Sequence, residues 1–268
     1  MEGLIGSRDG SNCFLPGLVS LNFFEFILAS LYAMEDLIGT QDPESIIKLD
    51  LPYRRLTSVS LELCQLVNLR ELRLYYNHLT SIPAELSRLT KLRDLYISSN
   101  NLTSIPAELG KLTNLQVLSL SYNQLSSIPA ELGQLVNLQV LSLSKNKLTS
   151  IPAELGRLVN LQELYLSGNK LTSIPAELGQ LVNLRSLWFG PSQLHFIPHE
   201  TGRLRKLQIL HIADFLHIGR PAANIYYIRT LTRLRERQYV VDKNIIVLQA
   251  NRRRRITLLN VEAMVSYG

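Results

Sequence analysis

The stretch Leu115–Asn137 reads LQVLSLSYNQLSSIPAELGQLVN, and the same twenty-three-residue phrase returns before and after it with few changes. The asparagines at its ninth place are Asn77, Asn100, Asn123, Asn146 and Asn169, always twenty-three apart. A fixed period of this length marks a solenoid, in which each unit packs on its neighbours and the array grows without a central core. Within the unit, Leu115, Leu118 and Leu120 are predicted to point inward and Val117 and Ser119 outward. That alternation of period two is a short strand. Asn123 then turns the chain. A buried amide there is expected to pair with backbone groups of its own turn and of the next coil, since an unpaired one would be costly. Ile128-Pro129-Ala130-Glu131-Leu132-Gly133 makes the return path. Proline suits a first helical turn, the glutamate complements the dipole, and the glycine is expected to end the segment.

Units begin at Ile46, Leu69, Leu92, Leu115, Leu138, Leu161, Leu184 and Leu207. Arg54 replaces the asparagine in the first, Ser192 and Phe215 in the last two, and the pattern has dissolved by Ile218-Gly219-Arg220-Pro221. Eight parallel strands give a sheet roughly 40 Å long. The predicted fold class is therefore an α/β solenoid shaped as a horseshoe. A parallel β-sheet lines its concave side, short helical or 3-10 segments form the convex side, and both ends are capped. Residues 1–45 are assigned to an apolar N-terminal cap, 46–218 to an array of about eight repeats, and 219–268 to a basic C-terminal cap.

The unit, with I-P followed by A-E-L-G-x-L, resembles the leucine-rich repeat, and within it the intracellular Ras-group class, over about Ile46 to Phe215. The resemblance implies a scaffold that holds signalling proteins, small GTPases among them, on the concave sheet. It also implies an intracellular, cytoplasmic setting. Its motif is structural, so it transfers no binding residue.

Two cysteines, Cys13 and Cys64, are too few for the disulfide-rich caps of extracellular arrays. Cys64 stands where other units carry Gly110 or Gly133, and reads as a small buried residue. The charge is asymmetric. Residues 203–268 hold thirteen basic against four acidic residues, a balance of +9, and the first 202 a balance of −3. A basic end of this kind points to an acidic partner surface.

The termini leave alternatives open. Met1-Glu2-Gly3-Leu4-Ile5-Gly6 is nearly repeated at Met34-Glu35-Asp36-Leu37-Ile38-Gly39, which leaves Met34 open as a second start. Between them, Cys13 to Met34 is apolar but interrupted by Pro16, Asn22 and Glu25, so no transmembrane span is expected. A cap for the first repeat, a targeting segment and a helix that docks an enzyme assembly such as a ubiquitin ligase all fit this segment. At the other end, Asn224 to Arg237 has the spacing of an amphipathic helix, and Gln238 to Leu248 that of a hairpin. Arg252, Arg253, Arg254 and Arg255 read as a nuclear signal, a patch for nucleic acid or another acidic surface, or a solvated turn.

No constellation supports catalysis, and neither cofactor nor metal is expected. The five histidines are scattered, Pro198 spoils a helical pair of His195 and His199, and no glycine loop cradles phosphate. The outward strand columns are more telling. One carries Asp50, Arg73, Tyr96, Ser119, Ser142, Tyr165, Trp188 and His211. The next two add Tyr75, Tyr76, Tyr122 and Lys145. Aromatics thus gather at both ends with serines between them. Arg73, Tyr75, Tyr76, Tyr96, Tyr122, Lys145, Tyr165, Trp188 and His211 are the candidate partner-binding residues.

Overall fold

The computed structural model of the protein describes residues 43–211, apart from 191–193 and 195–197. The expected caps, the Cys13 to Met34 segment, the C-terminal helix and hairpin, and the Arg252–Arg255 run lie outside the described residues. So do Ser192 and Phe215.

Among the described residues, eight three-residue strands form one parallel sheet in sequence order. They are Lys48–Asp50 (β1), Glu71–Arg73 (β2), Asp94–Tyr96 (β3), Val117–Ser119 (β4), Val140–Ser142 (β5), Glu163–Tyr165 (β6), Ser186–Trp188 (β7) and Ile209–His211 (β8). Each pairs with the next in a register of twenty-three, so Leu95 faces Leu118 and Tyr96 faces Ser119. Between strands the chain returns through short 3-10 turns such as Ala107–Lys111 and Ala130–Gln134. This is the leucine-rich solenoid expected from the period.

The core is a stack of leucine layers. Leu115, Leu118 and Leu120 are fully buried, as are their counterparts one unit on, Leu138, Leu141 and Leu143. Fully burying one such side chain contributes about 2 kcal/mol, and the layers repeat it in every coil. The strands keep their middle residue buried and their flanks half-buried, which leaves one face of the sheet open.

Three local expectations change. Gly133 does not end the return turn; it lies inside Ala130–Gln134 and is buried. A Cβ there would overlap the carbonyl oxygen of Glu154 in the following coil, and Gly110, Gly156 and Gly179 sit in the same way against Glu131, Glu177 and Glu200. Glycine is required for the approach of coil to coil. The proline likewise precedes the turn with extended backbone instead of occupying its first residue. The asparagine ladder also runs toward the preceding coil. Asn123 donates to the carbonyls of Leu120 in its own turn and Ile97 one coil back, and its Oδ1 accepts from the amide of Leu102.

Cys64 is fully buried, and its thiol donates weakly to the carbonyl of Ser60 at 3.6 Å.

Candidate functional site

The strand alternation that buries the leucines carries three side-chain columns to the open face. The first holds Glu71, Asp94, Val117, Val140 and Glu163; the second holds Arg73, Tyr96, Ser119, Ser142 and Tyr165. The third column, just before each asparagine, has a backbone feature that side-chain spacing does not announce. Tyr76, Ser99, Tyr122 and Lys145 all have φ near +55°, and Gly168 has φ +71°. A residue in this left-handed region pays roughly 1–2 kcal/mol unless it is glycine. Only Gly168 betrays the requirement in the sequence.

The predicted residues fall into two groups. At the N-terminal end, the rings of Tyr53 and Tyr76 stack at 4.7 Å, and Tyr75 meets each edge-on. Tyr53 belongs to this group; it stands in the same outward column as Tyr76 although it is not among the candidate binding residues, and it follows the same left-handed turn, with φ 56°. Arg73 is fixed between the carboxylates of Glu71 at 2.5 Å and Asp50 at 3.5 Å. From there its guanidinium lies over the ring of Tyr96, 5.5 Å from the centroid.

At the C-terminal end, Tyr165, Trp188 and His211 form one aromatic slab. Trp188 stacks on His211 at 4.5 Å and meets Tyr165 at 6.0 Å. Their polar tips are held from below: the Tyr165 hydroxyl donates to Glu163 at 2.6 Å, and the Trp188 indole to Ser186 at 2.7 Å. Burial first, and then the bond to Glu163, push the Tyr165 hydroxyl up to about 12. Burial pulls the His211 imidazole below its ordinary value, so the slab stays uncharged at neutral pH.

Between the two groups lies an open groove of about 420 Å³, with Tyr75, Tyr76 and Tyr96 on one side, Tyr165 on the other, and a serine floor. Tyr122 stands on its rim. The serines bond diagonally to one another, Ser98 to Ser119 at 2.7 Å and Ser121 to Ser142 at 2.6 Å. This ladder cannot continue past Tyr165. By the same spacing Ser167 would meet position 188, where Trp188 stands, and its buried hydroxyl has no partner among the described residues. Lys145 is exposed on the far edge. Thus Arg73, Tyr75, Tyr76 and Tyr96 reach the sheet's open side at one end and Tyr165, Trp188 and His211 at the other, with Tyr122 and Lys145 on the edges of the small-residue saddle between them.

Sequence reasoning passed over the acidic column. Asp94 is half-buried, and burial followed by the nearby Glu71 raises its carboxyl above the ordinary range. No ion pair neutralises it among the described residues. Its signal was present as D-x-Y at Asp94–Tyr96 and E-x-Y at Glu163–Tyr165.

A second, polar groove of about 390 Å³ runs along the strand starts, lined by Gln116, Gln139, Gln162 and Arg185 with Asn137, Asn160 and Asn183. Its asparagines are structural: Asn137, Asn160 and Asn183 each donate to a carbonyl one coil back. Among the described residues no three metal-ligating side chains come together, and no helix is long and apolar enough to cross a membrane.

Comparison with known proteins agrees with this architecture. The family described as leucine rich repeat matches residues 90–148, 113–171 and 136–188, and the related two-copy leucine rich repeats match 67–111. Residues 67–188 are leucine-rich repeats. Among similar solved structures is the LRR ectodomain of the plant membrane receptor kinase GASSHO1/SCHENGEN3 from Arabidopsis thaliana, in complex with CASPARIAN STRIP INTEGRITY FACTOR 2. It is 42% identical, over 62% of this chain and 21% of that one, with a TM-score of 0.56. The plant peptide hormone receptor RGFR1 in complex with RGF2 is 31% identical, over 58% of this chain and 26% of that one, with a TM-score of 0.53. An LRR protein of Leptospira interrogans is 28% identical, over 65% of this chain and 64% of that one, with a TM-score of 0.43. The chain thus spans between 21% and 64% of the length of these proteins. No curated protein sequence matches it.

Proposed function

We propose that this chain is a non-catalytic scaffold that binds a protein or peptide partner on the concave face of its leucine-rich-repeat sheet. One observation carries the proposal. Two aromatic clusters are braced from behind on a rigid sheet and face each other across a groove of small residues. Large side chains already held in place lose little freedom on binding, so their contact area converts well into affinity. Tyr96, Tyr165 and Trp188 are the leading anchors, each worth about 2 kcal/mol when centrally buried. Leucine-rich repeats commonly serve protein–protein interaction, and two of the similar structures are receptors in complex with a named second component. The I-P-A-E-L-G resemblance supports a finer reading, a Ras-group scaffold in the cytoplasm whose partner is a small GTPase or another signalling protein. Residues 1–45 and 219–268 act as its caps.

A nuclease-treated pull-down from the native cell lysate tests this. It compares the intact chain with a variant carrying Tyr96→Ala, Tyr165→Ala and Trp188→Ala, both first shown by circular dichroism to be folded. Loss of a partner with the variant alone supports the concave site. Retention of every partner overturns it and moves attention to the termini.

The charge asymmetry favours one second reading. Arg252–Arg255 and the basic end contact an acidic surface, either a nucleic acid or an acidic protein. Binding to nucleic acid that collapses between low and moderate salt would support it.

A further inference from the structure

The saddle between the two clusters has mirrored walls. On one side stands Asp94 with Tyr96, on the other Glu163 with Tyr165, and in each pair the carboxylate and ring are two residues apart on one strand. Each ring is covered on the side away from the saddle, Tyr96 by Arg73 at 5.5 Å and Tyr165 by Trp188 at 6.0 Å. Both rings line the groove between them, over Ser119 and Ser142. Each wall therefore offers an open π-face beside a carboxylate, the combination that attracts an ammonium or guanidinium group. Neither carboxylate faces a cation within ion-pair distance among the described residues. Arg73, the cation that covers Tyr96, is itself engaged by Glu71 and Asp50.

We infer that the saddle recognises an extended basic segment of a partner, with two Lys or Arg residues two positions apart, one against each tyrosine. The proposal rests on the scaffold reading and names the chemistry of its partner. Strand spacing sets the register. β3 and β6 are three strand spacings apart, roughly 14 Å. A cation in van der Waals contact with each inner face, about 3.7 Å away, leaves roughly 7 Å between the two cations. In an extended chain, residues i and i+2 point the same way and are also about 7 Å apart. Adjacent residues point to opposite faces. In a helix, positions two apart diverge around the axis and cannot both reach down. The residue between the two basic ones turns away from the sheet, so its identity is free. Val117 and Val140, half-buried on the two strands between the walls, offer apolar surface beside the serine floor for the aliphatic stems of the basic side chains.

Fluorescence anisotropy on the full-length chain, at 150 mM salt, tests the inference with three labelled peptides of equal length. One carries Arg-Ser-Arg in a Gly/Ser context, the second the same two arginines adjacent, and the third Glu-Ser-Glu. The expected result is that Arg-Ser-Arg binds at least tenfold more tightly than either of the others. Asp94→Asn and Glu163→Gln should each weaken it about fivefold or more, Tyr96→Ala should do the same, and Tyr96→Phe should retain it. Equal binding of the spaced and adjacent arginines, or binding unaffected by Asp94→Asn combined with Glu163→Gln, overturns the inference. If the triple aromatic variant loses its cellular partner while the Arg-Ser-Arg peptide neither binds nor competes, the scaffold stands and the basic-segment inference alone has failed.

Discussion

The side-chain amide of Asn123 donates to the carbonyl of Ile97, twenty-six residues earlier and 3.0 Å away, while its Oδ1 accepts from the amide of Leu102. One small side chain thus closes its own turn and ties it to the coil before. Asn100 and Asn146 do the same with Leu74 and Leu120. Replacing Asn123 by Ala leaves buried backbone groups of two coils unpaired, each costing about 1–3 kcal/mol. Urea unfolding should show a loss of about 3 kcal/mol or more for Asn123→Ala. Asn123→Asp should lose more, because a carboxylate would face the carbonyls.

Gly133→Ala should be nearly as damaging for a different reason. The added methyl overlaps the carbonyl of Glu154, a backbone atom that cannot swing away. Overpacking of this kind costs about 1–3 kcal/mol. Cys64 and Ser87 occupy the same column earlier in the chain, so the cost reflects the tight spacing of the middle coils. Thermal unfolding of Gly133→Ala and Gly156→Ala should show the same drop in midpoint.

Asp94 predicts a pH-dependent gain. Its carboxyl is raised above 3.8 by burial and by Glu71, so the folded chain holds that proton more tightly than the unfolded chain. The stability this provides is present at low pH and is lost as the pH rises through the folded value, so ionised Asp94 is a standing cost at pH 7. Asp94→Asn should therefore unfold at a higher temperature than the parent at pH 7. The two should converge at pH 3, where Asp94 is protonated. A carboxylate retained against stability is what a binding role would require.

Ser99 sits at φ 56°, in the column where Gly168 stands two coils beyond Tyr122. Ser99→Gly relieves the left-handed penalty and should raise stability by about 1 kcal/mol, measured by urea unfolding. Tyr122→Gly would relieve the same backbone strain but remove an exposed ring from the groove rim. It should weaken peptide binding while leaving the fold intact.

Cys64 should be inert. Burial pushes its thiol up to about 11, and almost no thiolate exists near neutrality. In a Cys13→Ser background, the native chain should react with a thiol-specific dye at pH 8 far more slowly than the urea-unfolded chain.

What the sequence determined by itself was the periodic part of the molecule. Leu115, Leu118 and Leu120 recur every twenty-three residues, and a strand with side-chain period two can bury that pattern only by stacking coils in register. Strand positions, the leucine core, the asparagine turns and the columns facing outward were all legible, because each depends on spacing within one unit. The tertiary structure decided what depends on neighbouring units. Gly133 answers to Glu154 one coil on, and Asn123 to Ile97 one coil back. Tyr96 and Tyr165 become walls because Arg73 and Trp188 stand on the adjacent strands, and Ser167 loses its partner because Trp188 occupies the matching place. Nothing along the chain marks Asp94 and Glu163; only the parallel register sets them on opposite sides of one saddle. A repeat specifies its own coil through its own residues, but a site made across several coils exists only once they are stacked.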